Sequence, residues 1–172
     1  MHALETLRAA IPDAAKDLRL NLGAVLQPGT LTPAQTWGVA VATAIASRTP
    51  QLRQAVLEDA LVTVPPEVVE DAKAAAALMG MNNVYYRFRH FIGKPEYGEK
   101  PARLRMQRLA QVATNKADFE LFCLAVSTIN GCEMCVRSHE EAVLAGGLTP
   151  DHVQDAVRIA STMHGVAVAL EM

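Results

Sequence analysis

Glu120-Leu-Phe-Cys123-Leu-Ala-Val-Ser-Thr-Ile-Asn130-Gly131-Cys132-Glu-Met-Cys135-Val-Arg-Ser-His139 is the stretch from which both fold and chemistry can be read. Asn115 is a good N-cap, and Lys116 to Ile129 reads as a helix rich in Leu, Phe and Ala. Asn130-Gly131 interrupts it, because glycine accepts the left-handed backbone that ends a helix and lets the chain turn. A second helix begins at Cys132 and runs to Leu144, where Gly146-Gly147 stops it. Helices joined by so short a break form a tight αα-hairpin.

Outward from this hairpin the same punctuation recurs. Leu4 to Ala10 and Ala14 to Leu22 read as short helices. Thr32 caps a helix to Ser47, with Pro33 at its first position, and Thr49-Pro50 breaks it. Gln51 to Leu61 is the next helix. Pro66 opens another to Met79, continuing helically through Gly80 to Phe91. Gly93 to Lys100 reads as a loop, Pro101 to Val112 as a helix, and Thr149-Pro150-Asp151 opens the last helix. Hydrophobic residues are 51% and aromatic residues 5% of the 172, an alanine-rich composition suited to closely packed helices. No run of strict alternation predicts a sheet. The expectation is a compact all-α domain over 1–172.

Pro66-Glu-Val-Val-Glu-Asp71-Ala72 resembles Pro150-Asp-His-Val-Gln-Asp155-Ala156, and at the same offset Ala76 matches Ala160 and Met79 matches Met163. The preceding helices, Pro33 to Ser47 and Lys116 to Asn130, correspond in length and position. This predicts two similar helical halves packed together. Only the second, 114–170, has cysteines and is the expected redox-active half; Arg48-Thr49-Pro50 is the equivalent break in the first.

Cys132 and Cys135 lie three residues apart at the start of a helix, on one face, close enough to bridge. The free amides of a first helical turn favour thiolate over thiol. His139 is one turn beyond Cys135 on the same face, within reach of its proton directly or through a water. Glu120, across the hairpin, is placed to orient His139 or relay a proton. Other candidates have plainer readings. Cys123 reads as a buried small hydrophobe, Met79 and Met81 as core, and His90, His152 and His164 as structural or surface residues. Trp37 and Tyr85-Tyr86 read as packing or subunit contacts, and Arg87, Arg89, Arg103, Arg105 and Arg108 as solvated helix faces or partner contacts.

The pattern of a glutamate, eleven residues, CxxC, three residues and histidine resembles the alkyl hydroperoxidase D (AhpD) family of the carboxymuconolactone-decarboxylase-like superfamily. The resemblance extends to Ala14–Leu22, Met79–Arg87 and Ala125–Cys132, and so over nearly the whole chain. It implies an all-α homotrimer that reduces hydroperoxides and regenerates an oxidised peroxiredoxin of the AhpC type. Dihydrolipoamide or a lipoylated protein would be the electron donor. It also implies that Cys135 attacks peroxide, that Cys132 closes the disulfide, and that Glu120 and His139 relay protons. Met134 stands where several family members carry histidine; a thioether moves no proton, so the relay rests on Glu120, water and His139.

Two other readings stand beside this one: a zinc site built from Cys132, Cys135, His139 and Glu120, and a carboxymuconolactone-type decarboxylase on the same fold. No Gly-rich dinucleotide loop is present, so no bound cofactor is expected. A net charge of −2 gives no basic field for nucleic acid. Met1 to Lys16 lacks a leader pattern, and stretches such as Val39–Ala46 are too short to span a membrane; the expected location is the cytoplasm.

Overall fold

Two helices, α3 (Pro33–Ala46) and α7 (Lys116–Ile129), form the centre of a computed structural model that describes residues 2–172. Both are buried along most of their length. Around them lie α1 (His2–Ala10), α2 (Lys16–Ala24), α4 (Pro50–Leu61), α5 (Pro66–Ile92), α6 (Pro95–Glu99), α8 (Glu133–Ala145) and α9 (Pro150–Ala169). Single 3-10 turns occupy Asp13–Ala15 and Gln107–Ala110, and no strand occurs among the described residues. The all-α expectation holds.

Sequence sets the start of each central helix. Thr32 Oγ1 accepts from the Gln35 N–H (3.2 Å) while Gln35 Oε1 accepts from the Thr32 N–H (2.9 Å), a capping box with Pro33 at N1. Asn115 Oδ1 accepts from the Asp118 N–H (2.9 Å). The third residues of the two helices then meet: Gln35 Nε2 donates to Asp118 Oδ1 at 2.7 Å, tying one half to the other. Further along, α3 and α7 cross so closely that a Cβ on Gly38 would lie 2.1 Å from the ring of buried Phe122. Emptying that crossing by Phe122→Ala would cost about 3–5 kcal/mol.

The repeat is visible in the packing. α3 and α7 each lie against both α5 and α9, and α8 touches α5 as α4 touches α9. The hairpins turn alike: Arg48 (φ 63°) and Gly131 (φ 64°) are both left-handed, with Thr49 and Cys132 following as N-caps.

α5 is a single 27-residue helix that passes Gly80 without a break, as the sequence leads one to expect. Two expectations need correction. The expected loop at Gly93 to Lys100 contains the short α6. Pro101 to Val112 is not a helix; apart from the turn at Gln107–Ala110 it is irregular. Ala102, Leu104 and Met106 are half-buried while Arg103, Arg105 and Gln107 are exposed, so exposure alternates along an irregular segment in which Arg103 is left-handed (φ 52°). Asp71 holds its far end, accepting from the N–H groups of Ala113 and Thr114, the Thr114 hydroxyl and the Arg108 guanidinium. Burial would raise the Asp71 pKa, but these donors outweigh it and hold the carboxyl below its ordinary value.

The arginines are likewise more engaged than solvated faces would be. Arg108 pairs with fully buried Asp71, Arg87 donates to the Asn130 carbonyl and Arg89 to the Gly98 carbonyl.

Candidate active site

The left-handed Gly131 brings Cys132 to the N-cap of α8 and Cys135 to its first turn. Their sulfurs are joined in a disulfide, with Cα atoms 5.3 Å apart. Cys132 is 0% exposed and Cys135 7%, so any reagent reaches the pair from the Cys135 side. In this oxidised state Cys132 accepts no side-chain capping bond from the α8 amides.

Across the hairpin, Glu120 Oε2 lies 2.6 Å from His139 Nδ1. Its other oxygen, Oε1, lies 2.6 Å from the ammonium of Lys116, one turn earlier on α7. Burial alone would raise the Glu120 pKa, but the hydrogen bonds and charges of His139 and Lys116 prevail and keep it below its ordinary value. An ionised Glu120 makes Nδ1 of His139 the donor toward it. The second nitrogen, Nε2, faces the thioether of Met79 at 3.2 Å. No hydrogen bond joins His139 to Cys135 in this disulfide state, in which neither sulfur carries a proton.

α5 supplies the floor. Asn83 donates to Ser127 Oγ (2.9 Å) and accepts from Asn130 Nδ2 (2.9 Å), fastening the end of α7 where the hairpin turns. Met79, Asn82 and Tyr86, on the same helix, border a cavity of about 320 Å³ whose opposite wall is Cys135, Ser138 and His139. Met106 and Leu109, from the irregular segment and its 3-10 turn, close one side, and half-exposed Met134 stands at the rim.

All four residues singled out from the motif therefore converge: the two cysteines are bonded, and Glu120 and His139 are paired. Cys123 is fully buried, which pushes its thiol pKa well up. Trp37 is core; His152 completes the cap of α9 with Thr149; His90 lies 3.5 Å from Glu133. No three His, Cys, Asp or Glu side chains among the described residues are grouped to hold a metal ion. Sequence reasoning did not find Lys116, nor the α5 residues. Met79 is core as expected, yet it also touches His139. The adjacent carboxamides Asn82-Asn83, inside a buried stretch of helix, were the available signal.

The carboxymuconolactone decarboxylase family matches residues 95–172. Similar proteins named alkyl hydroperoxide reductase AhpD extend the likeness to the full length. One from Anaeromyxobacter dehalogenans (strain 2CP-C) is 64% identical over 172 residues, covering 100% of this chain and 92% of that one. Another, from Solibacter usitatus (strain Ellin6076), is 52% identical over 169 residues, or 98% of this chain and 96% of its own. A third, from Brucella suis (strain ATCC 23445 / NCTC 10510), is 47% identical over 169 residues, with 98% and 97% covered. With identity of this order running from end to end, the chain belongs to the AhpD family of the carboxymuconolactone decarboxylase group.

Proposed function

We propose that this chain reduces hydroperoxides through the Cys132–Cys135 pair, and uses the same pair to reduce an oxidised peroxiredoxin of the AhpC type. The carrying observation is the bonded cysteine pair, whose Cys135 shares the cavity wall with His139, itself paired with Glu120. The relatives' name, alkyl hydroperoxide reductase, agrees with it.

In the reduced protein the Cys135 thiolate attacks the terminal peroxide oxygen. An S–O bond forms, the O–O bond breaks, and the alcohol leaves with a proton passed from His139, which Glu120 orients. Cys132 then attacks the sulfenic acid at Cys135; the S–S bond forms and water leaves. A dithiol donor, dihydrolipoamide or a lipoylated protein, returns two electrons and two protons and becomes a disulfide itself. The alternative direction passes the same two electrons to the peroxiredoxin disulfide. The working half is 114–170, the first half being scaffold within one domain.

An exposed apolar stripe along α5, Val84, Phe88 and Phe91, supports the homotrimer that the family resemblance implies. The cytoplasm remains the proposed location; no helix among the described residues is long and apolar enough to cross a membrane.

A decarboxylase acting on a carboxylated lactone would need a cation for its substrate, and no Lys or Arg borders the cavity. The zinc reading needs free thiolates where the structure has a disulfide.

Thiols are to be counted before and after one equivalent of hydroperoxide, with peptide mapping. Loss of two thiols and a Cys132–Cys135 link that dihydrolipoamide reopens is the expected result. Unchanged thiols would overturn the reading.

A further inference from the structure

Asn82 is nine-tenths buried, at 4% exposed, and its Oδ1 has no hydrogen-bond partner. Among the described residues one other buried side-chain atom is unpaired, Arg19 Nε, and that guanidinium is already bound to Ile11 and Asp13. The next residue, Asn83, shows what a purely structural carboxamide does here: it is bonded at both ends, to Ser127 and Asn130. The repeat adds a second contrast. At the offset that pairs Met79 with Met163, Asn82 corresponds to Val166, which is fully buried. An apolar side chain therefore suits this position of the fold, and an unpaired amide is the costlier choice.

Asn82 borders the cavity shared by Cys135 and His139. Apart from His139, no ionisable group of the Asp, Glu, Lys or Arg type borders it; Met79, Met106 and Leu109 are apolar, and Tyr86 and Ser138 offer hydroxyls. An anion would find no cation there. A neutral molecule with an apolar body and one polar end fits. The O–O–H group of an alkyl hydroperoxide donates one hydrogen bond and accepts others, matching a carboxamide that offers one acceptor and two N–H donors.

We infer that Asn82 binds the peroxide group of an uncharged alkyl hydroperoxide in this cavity, holding it against Cys135. The inference rests on the reading of Cys132 and Cys135 as a peroxide-reducing pair. Asn82 takes no part in bond making; it contributes contacts that an apolar residue of the same size cannot.

Asn82→Leu tests it, since the substitution keeps the number and branching of the side-chain heavy atoms and removes the unpaired group. The protein is reduced, mixed with cumene hydroperoxide, and followed by thiol loss in a single turnover; in a separate arm, dithiothreitol reopens the disulfide. The expected result is a thiol-loss rate at sub-saturating peroxide lowered about three- to tenfold. Saturation should move to higher peroxide, dithiothreitol reopening should be unchanged, and Tm should be unchanged or raised. If Leu does not fold, Asn82→Val, the residue of position 166, replaces it. Equal peroxide rates in variant and parent would overturn the inference, as would a loss shared equally by the dithiothreitol arm. A parent protein whose thiols ignore peroxide would instead overturn the function proposed above, and is told apart because it needs no variant.

Discussion

Counted from their left-handed turns, the two halves place different side chains on one scaffold. Eleven residues before the turn stand Trp37 and Glu120; one residue after it, Thr49 and Cys132; four after, Leu52 and Cys135; eight after, Val56 and His139. The first-half members of all four pairs are buried. The same hairpin thus serves as packing in one half and carries the groups of the proposed chemistry in the other. Backbone shape sets where these groups meet; side-chain identity sets whether anything happens there.

The widest separation between the halves is expected from Cys135→Ser against Leu52→Ala. The first should abolish peroxide turnover with little change in stability. The second should leave turnover per folded molecule intact while lowering unfolding free energy by about 2–5 kcal/mol in urea titrations. Equal loss of turnover in both folded variants would break the division of labour.

Next in size is Glu120→Gln, with a drop of about 100-fold in kcat/KM for hydroperoxide. Its pH signature has a fixed sign. Because the folded Glu120 pKa is depressed, its ion pairs stabilise the fold above about pH 4.3, the ordinary glutamate value. That contribution is lost as pH falls through the folded value, and the variant should lose this part of the acid dependence. Trp37→Phe, at the counterpart, should change neither profile.

A smaller contrast concerns the two aspartates that the repeat aligns. Asp71 is fully buried and gathers donors from Arg108, Ala113 and Thr114, whereas Asp155 is partly exposed and holds Thr30 and Arg158. Asp71→Asn should cost about 3 kcal/mol and Asp155→Asn under about 1 kcal/mol by thermal unfolding. Both carboxyls lie below their ordinary value in the fold, so both contributions are present above about pH 3.9 and fade as pH falls further. Smallest are the turns themselves. Gly131→Ala should destabilise by about 1–2 kcal/mol, and Arg48→Gly should stabilise by up to about 1 kcal/mol, because both positions are left-handed.

The legible part of the molecule was the part written in local signals. Thr32, Asn115 and Thr149 begin helices as their caps require, and Gly131 turns the hairpin so that Glu120 reaches His139. The illegible part depends on contacts distant in sequence. Only packing brings Met79, Asn82 and Tyr86 of α5 to the face of α8, some fifty residues on. At 101–112 a proline start and a run of Arg and Leu imitate a helix, but the segment is irregular, with Arg103 left-handed and its far end fastened by Asp71. Arg108 looked like surface charge because its partner Asp71 lies 37 residues earlier.

Asp71 belongs to the first half but grips the residues just ahead of α7, and Asp155 belongs to the second but grips Thr30, just ahead of α3. Each half closes the other. The chain is in effect a heterodimer whose subunits share one peptide strand, joined through Gly93 to Met106. Two pieces cut in that connector are expected to fold only together, and at high concentration two intact chains could trade halves through it, giving a swapped pair with both reactive hairpins preserved.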